Sequence, residues 1–432
     1  MPKVLIITYY WPPAGGPGVQ RWLKFVTYLK GFGVEPIVYI PENPHYPLKD
    51  KSLVAEIPEG ITILKKRIIE PYAWAQIFSK EKTETISSGI IDKPEKQNWL
   101  QKLLLYVRGN FFIPDARKFW VNPSVEFLRK YIYDNPVDAI ITTGPPHSLH
   151  LIGLNLKAKT GLPWIADFRD PWTDIGYHDK LKLTRSSQKK HLVLERKVLN
   201  TADHIITTSP KTKTDFKKIS PQPITCITNG FEERPETSID LDKSFTLSHI
   251  GSLLAARDPV LLWEILNELK KEKPSFGKDL KIKLAGKVSA TVIESIKEYN
   301  LDENVELLGY VNHTKALNLQ RKAQVLLLIE INAPETRAII PGKVFEYLAA
   351  RRPILGIGPQ KADFFDIVEG SQSGFCFDYG QKMLLKTQLL EWYNAYGKDG
   401  IRANSSDISK YTRENLTGKL VGVIDEVLDD ER

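Results

Sequence analysis

Residues 232–243 read EERPETSIDLDK, a polar run with no apolar period, and they divide the chain. Before them, short runs rich in Ile and Val at 3–8, 34–40, 139–143, 164–168, 204–208 and 225–228 alternate with helical patterns, for example at 19–30, 148–159 and 187–199. After them the alternation restarts. Strand-like runs fall at 246–250, 281–285, 305–308, 325–331, 353–357 and 374–377, with helical patterns at 260–271, 290–299, 313–322, 343–350 and 382–396. Compact apolar runs are what parallel strands covered on both faces require. Their alternation with helices is the mark of α/β domains. The expected fold class is therefore α/β, with two doubly wound, Rossmann-like units in series over 1–235 and 244–410. A last amphipathic helix falls at 411–428, within a closing segment 411–432. Ligands in such sheets bind beyond the carboxyl ends of the strands, so the cleft between the two units is the default site.

The stretch 68–122 fits this alternation least well and reads as an insertion in the first unit. It sets Tyr72, Trp74, Trp99, Tyr106, Phe111, Phe112 and Trp120 among many Lys and Arg residues. Its run NWLQKLLLYVRGNFFIP (98–114) mixes basic and aromatic residues on a helix-like pattern, which suits a membrane surface. An insertion packing its aromatics on its own domain would look much the same; the lean is slightly toward the membrane.

The chain has 432 residues with a net charge of +8. That excess favours anionic partners: nucleotide phosphates, lipid head groups or nucleic acid. The 52 acidic residues are interspersed among the basic ones and no recognition motif is present, so nucleic acid is not expected. Two cysteines, Cys226 and Cys376, are the usage of a reducing compartment. No apolar run reaches 18 residues and no leader pattern opens the chain. The expectation is a cytoplasmic protein, with peripheral attachment to the inner face of the plasma membrane as a further location.

Several segments carry chemistry. The first strand runs into Trp11-Pro-Pro-Ala-Gly-Gly-Pro-Gly18 ahead of a helix. Gly15 and Gly16 let the backbone approach a ligand, and the helix N-terminus offers N–H groups to an anion. The run PWIADFRDPW (163–172) empties a strand into Asp167, Arg169 and Asp170, where a carboxylate could accept a proton or hold sugar hydroxyls. Upstream, His147 lies in a turn that opens a helix, with Ser148 read as its N-cap. In the second half, Gly251 follows a strand and Arg257 precedes a helix, a reasonable diphosphate clamp. Gly309 ends a strand, and the backbone around Tyr310 and Val311 could meet a base edge. In IPGKVFEYLAA (340–350), Lys343 sits in the first helical turn and Glu346 one turn later on the same face. A lysine there opposes the helix dipole, which a bound phosphate would offset.

Taken together these residues resemble the retaining GT-B-fold glycosyltransferases of family 4 over nearly the whole chain. The resemblance rests on Gly15, Gly16 and Gly18, the DFRDPW run, Ala202-Asp203-His204-Ile205 with Ser209, and Thr228-Asn229-Gly230-Phe231. It continues through Gly251 with Arg257, Gly309-Tyr310 and PGKVFEYLAA. It implies a GT-B fold, two Rossmann-like domains facing across a cleft. It also implies transfer of a hexosyl or related sugar, with retention and without a metal ion, from a nucleotide sugar (UDP- or GDP-sugar) to a glycan or lipid-linked acceptor. Cell-surface polysaccharide assembly is the implied role. By the resemblance Glu346 binds the donor ribose, and Arg257 and Lys343 hold the diphosphate near Gly251. Tyr310 and Val311 frame the base, Gly15 and Gly16 approach the donor phosphate or the acceptor, and Asp170 touches the donor sugar. The family's fuller pattern has a first glutamate eight positions before the second; here that position is Ala338. Its contact falls to the amides of the 332–342 loop or to Glu335. The competing functions are a GT-B-fold sugar-nucleotide epimerase, which needs no acceptor, and a non-catalytic nucleotide- or glycan-binding protein.

Overall fold

The computed structural model describes residues 1–70, 99–173, 181–233, 239–398 and 400–429. The chain forms two compact units, one of Met1–Asn229 with Arg413–Arg432 and one of Gly230–Thr412. Most of the 68–122 insertion's N-terminal half (71–98) lies outside the described residues, as do positions 234–238 of the polar run.

The first unit is built on seven parallel strands: β1 (Lys3–Ile7), β2 (Glu35–Pro41), β3 (Thr62–Lys66), β4 (Ala139–Gly144), β5 (Trp164–Phe168), β6 (His204–Thr207) and β7 (Ile224–Cys226). They are ordered β3-β2-β1-β4-β5-β6-β7. Its helices are α1 (Pro17–Leu29), α2 (Trp99–Phe111), α3 (Lys118–Asp134), α4 (Ser148–Thr160), α5 (Arg185–Thr201) and α6 (Pro210–Phe216). Val4, Leu5, Ile6 and Ile7 of β1 are all fully buried, as a central strand covered on both faces requires.

The second unit has six parallel strands: β8 (Phe245–Ile250), β9 (Leu280–Ala285), β10 (Val305–Gly309), β11 (Val325–Ile329), β12 (Ile354–Gly358) and β13 (Gly374–Asp378), in the order β10-β9-β8-β11-β12-β13. Its helices are α7 (Val260–Glu272), α8 (Pro274–Asp279), α9 (Ala290–Glu298), α10 (His313–Lys322), α11 (Lys343–Ala350), α12 (Asp363–Gly370) and α13 (Lys382–Tyr396). The period of two splits β11 between separate cores. Val325, Leu327 and Ile329 join Phe245, Trp263 and Leu266 on one face; Leu326 and Leu328 join Phe345 and Phe364 on the other. Cys376 is a buried member of the second core.

The last helix, α14 (Arg413–Asp429), belongs to the first unit. Leu416, Leu420, Val423, Ile424 and Val427 recur at helical spacing and are buried in that unit's core. The insertion's Trp120 is likewise a core residue, on α3, with its ring stacked 4.9 Å from Tyr39. Ser148 is the first residue of α4 and not its cap. The cap position is His147, which gives no side-chain bond, and Asp115 accepts from the Ser148 N–H and hydroxyl, each at 2.9 Å.

Candidate active site

In the second unit the strand order reverses between β8 and β11, the switch point where an open α/β sheet leaves room for a ligand. These strands pair only through Leu247 with Val325 and Ser248 with Leu326. Beyond that the ladder stops and side chains serve the backbone. Tyr347 of α11 takes the Ile250 N–H on its hydroxyl at 3.0 Å and donates to the Leu327 carbonyl at 3.4 Å. The start of α11 is thereby held at the splayed strand ends.

Four sequence-predicted residues meet there. Lys343, the first residue of α11, extends its Nζ to 3.2 Å from Nε2 of His249. Gly251 has a φ of +130°, and a Cβ on it would lie 2.6 Å from that Nζ, so glycine keeps the ammonium's place open. Arg257 forms a forked pair with Glu330, Nε to Oε1 at 3.0 Å and Nη2 to Oε2 at 3.3 Å. Glu330 is fully buried and also accepts the Ile331 N–H at 2.8 Å. Burial first, and then the charge of Arg257, push the Lys343 ammonium down to about 8, with Glu330 and Glu346 opposing. Two cations thus converge on one glycine turn with one buried carboxylate behind them, an arrangement suited to an anion of high charge.

Glu346 follows one turn along α11. It makes no ion pair with Lys343 among the described residues; its Oε2 accepts from Gln320 at 2.8 Å. Gly309 accepts the Gly286 N–H at 2.7 Å, and Gly286 (φ +127°) in turn lies against the Gly251 carbonyl. Tyr310 beyond it is 93% exposed, and Val311 is half-buried on the core containing Phe345. Glu335 is exposed in a single 3-10 turn (Pro334–Thr336) and has no polar side-chain partner among the described residues. His249 and Glu330 were not singled out by sequence reasoning; each hides within an apolar strand run.

The carboxyl end of the first sheet holds the remaining candidates. Gly15 donates its N–H to Leu48 at 3.0 Å, and Gly16, with φ +103°, caps α1 without a side-chain bond. Asp167 is enclosed: Arg21 (3.0 Å), Trp22 (2.8 Å) and Thr143 (2.8 Å) all donate to it, so its carboxylate serves the interior. Arg169 turns back to the Gly144 carbonyl (Nε, 3.2 Å) and the Pro145 carbonyl, and overlies Gly18, where a Cβ would collide with its guanidinium. Burial pushes its guanidinium down, and of the charges opposing this Asp170 acts most strongly, with Asp167 next. Asp170 is exposed; desolvation raises its carboxyl above the usual range, with Arg169 opposing and Asp167 adding to the rise. His147 is buried, its ring stacked 5.1 Å from Trp172. Beside it His150 is held neutral, burial pushing it down to about 3.

Among the described residues no group of three or more His, Cys, Asp or Glu could hold a metal ion. Nor is any described helix long and apolar enough to cross a membrane.

Comparison with known proteins bears on the fold. The family model described as Glycosyltransferase Family 4 matches residues 89–234. No curated protein sequence matches the chain. Among solved structures, HepE of Anabaena, in complex with UDP, aligns at a TM-score of 0.61 with 14% identity, covering 98% of this chain and 100% of its own. Sucrose-phosphate synthase from Thermosynechococcus elongatus aligns at 0.60 with 12% identity and full coverage of both chains. The lipopolysaccharide outer core galactosyltransferase WaaB aligns at 0.58 with 12% identity, covering 98% of this chain and 99% of its own. Residues 89–234 thus carry the pattern of Glycosyltransferase Family 4, and the chain, with its seven- and six-stranded parallel sheets, has the fold of the GT-B glycosyltransferases.

Proposed function

We propose that the protein is a glycosyltransferase that moves a hexosyl or related sugar from a UDP- or GDP-sugar to a glycan or lipid-linked acceptor. The transfer proceeds with retention and without a metal ion, in the assembly of a cell-surface polysaccharide. The observation that carries this reading is the convergence of Arg257 and Lys343 on the Gly251 turn, with Glu346 one helical turn further. HepE, of the same fold, was solved with UDP, which supports a nucleotide-sugar donor.

In this reading Arg257 and Lys343 take the diphosphate and stabilise the charge that grows on it as the glycosidic bond breaks. Glu346 accepts hydrogen bonds from the ribose hydroxyls, with Gln320 holding its other oxygen. Tyr310 and Val311 lie beside the base. The acceptor hydroxyl attacks from the face the leaving group departs, its proton passing to the departing diphosphate oxygen, and Asp170 contacts the donor sugar. The Gly15–Gly16 turn approaches the donor phosphate or the acceptor. Exposed Leu103, Tyr106 and Phe111 on α2, with Arg108 on the same helix, support attachment to the inner face of the plasma membrane.

Calorimetric titration of UDP and GDP into wild type and Glu346→Ala tests the reading. One nucleotide is expected to bind, and the variant to bind it at least roughly tenfold more weakly, the effect of losing charge-assisted hydrogen bonds. Equal binding by both proteins would make Glu346 a structural residue and remove the donor assignment.

A further inference from the structure

His249 is a buried imidazole in the middle of a hydrophobic sheet. Its neighbours along β8 are Phe245, Thr246, Leu247, Ser248 and Ile250, and it is fully inaccessible to solvent. A buried polar ring is costly unless its nitrogens are bonded, and here both are. Nδ1 lies 3.0 Å from the Leu327 carbonyl. A carbonyl can only accept, so Nδ1 must carry the hydrogen, and Nε2 is left as a lone pair. The Lys343 ammonium, 3.2 Å away, can only donate, so it gives one hydrogen to Nε2. With Nδ1 donating to Leu327, the run from Leu327 through His249 to Lys343 has one direction; the Ser252 backbone also bonds the ring.

The strand geometry makes this possible. Because β8 and β11 part after Ser248 and Leu326, the Leu327 carbonyl is taken by side chains, the His249 ring and the Tyr347 hydroxyl. The same divergence admits Lys343 above Gly251. A lysine stem at a helix start has four rotatable bonds and a charge that the helix dipole repels. The carboxylates of Glu330 and Glu346 attract the ammonium, but Glu330 is already forked to Arg257, and His249 is the acceptor at hydrogen-bond distance from Nζ. The charged and titratable groups facing it are Arg257, Glu330, His249 and, from its own helix, Glu346.

We propose that His249 is the positioning residue of the diphosphate site: a neutral acceptor that draws the Lys343 ammonium over Gly251, beside Arg257, and leaves its two other hydrogens for the phosphates. The proposal rests on the reading of this unit as the donor side, and it assigns a role to a side chain that need not touch the ligand itself.

The test uses the full chain as wild type, His249→Leu and His249→Gln, titrated with UDP, GDP and inorganic pyrophosphate between pH 6.5 and about 9.5. His249→Leu is expected to bind the preferred nucleotide roughly tenfold more weakly, as the loss of a hydrogen bond to a charged group predicts. His249→Gln, whose amide oxygen offers an acceptor at similar reach, is expected to restore most of the affinity. The pH at which affinity declines should also move lower in His249→Leu, because an ammonium deprived of its acceptor gives up its proton more easily. A merely structural histidine would leave that midpoint in place. Wild-type affinity and an unmoved midpoint in His249→Leu would overturn the proposal while leaving the donor-site reading intact. If His249→Leu does not fold, His249→Gln against His249→Asn decides. The shorter amide cannot reach Nζ, and equal affinities would overturn the proposal. Failure of wild type to bind either nucleotide would instead sink the donor-site reading and this proposal with it.

Discussion

Lys343 sits between two opposed demands. Its ordinary value of 10.5 is pushed down to about 8, first by burial and then by Arg257. Between those two values the unfolded chain holds the proton and the folded chain has released it. The unfolded state binds more protons, so this group makes the ligand-free protein more stable as pH rises across that window. A diphosphate needs the ammonium, so its affinity runs the other way and falls as pH climbs through about 8. Melting curves and calorimetric titrations at pH 7, 8 and 9, each compared with Lys343→Met, should show both slopes in wild type and neither in the variant. Parallel slopes in the two proteins would place the titration elsewhere. Lys343, Glu346, Arg257 and Gly251 were legible in the sequence because a lysine at a helix start and a glycine at a strand end are locally odd choices. Their partners were not. His249 and Glu330 stand inside or at the end of runs, FTLSHI and VLLLIE, that read as plain strands. The available signal was that a histidine or glutamate in a doubly covered strand must have a partner, but not which one.

The element on which the site turns is α11, and Tyr347 is what ties it to the sheet. Tyr347→Phe would leave the buried Ile250 N–H without an acceptor. The expected cost is about 1–3 kcal/mol in the unfolding transition of the second unit. Nucleotide affinity should weaken as well, because the start of α11 is no longer held where the strands part. Urea unfolding with and without nucleotide reads both; unchanged stability would mean the splayed ends need no bridge. At this scale the central strands were plain in sequence, since β1 and β11 carry unbroken apolar runs and β4, β5 and β8 are apolar but for a few Thr, Ser, His or Asp residues. The edge strand β3, TILKK, was missed because only Ile63 and Leu64 are apolar and both are half-buried. Helix α3 was obscured by Pro123 in its interior and by its overlap with the aromatic insertion. The Ser148 cap went wrong for another reason: the carboxylate that serves α4 comes from Asp115, 33 residues away.

For the whole molecule, the proposed attachment to an anionic membrane surface rests on the net charge of +8 and the exposed apolar residues of α2. Vesicles containing anionic lipid should retain the protein at about 0.1 M salt and release much of it near 1 M, where the screening length shrinks from about 10 Å to 3 Å. Neutral vesicles should retain little, and Phe111→Asp should weaken retention. Indifference to both lipid charge and Phe111 would remove the membrane from the proposed function. The connectivity of the two units has a different consequence. The first unit buries Leu416, Leu420, Val423, Ile424 and Val427, yet the chain leaves that unit at Asn229 and returns only at Arg413. During translation at about 5–20 residues per second, the intervening 230–412 takes on the order of 10–40 s to emerge. Throughout that interval the nascent first unit lacks α14 and exposes the apolar surface that α14 covers, and by its end every strand of the second unit has emerged. The unit made first is the one finished last, and it is the one a ribosome-associated chaperone would have to guard.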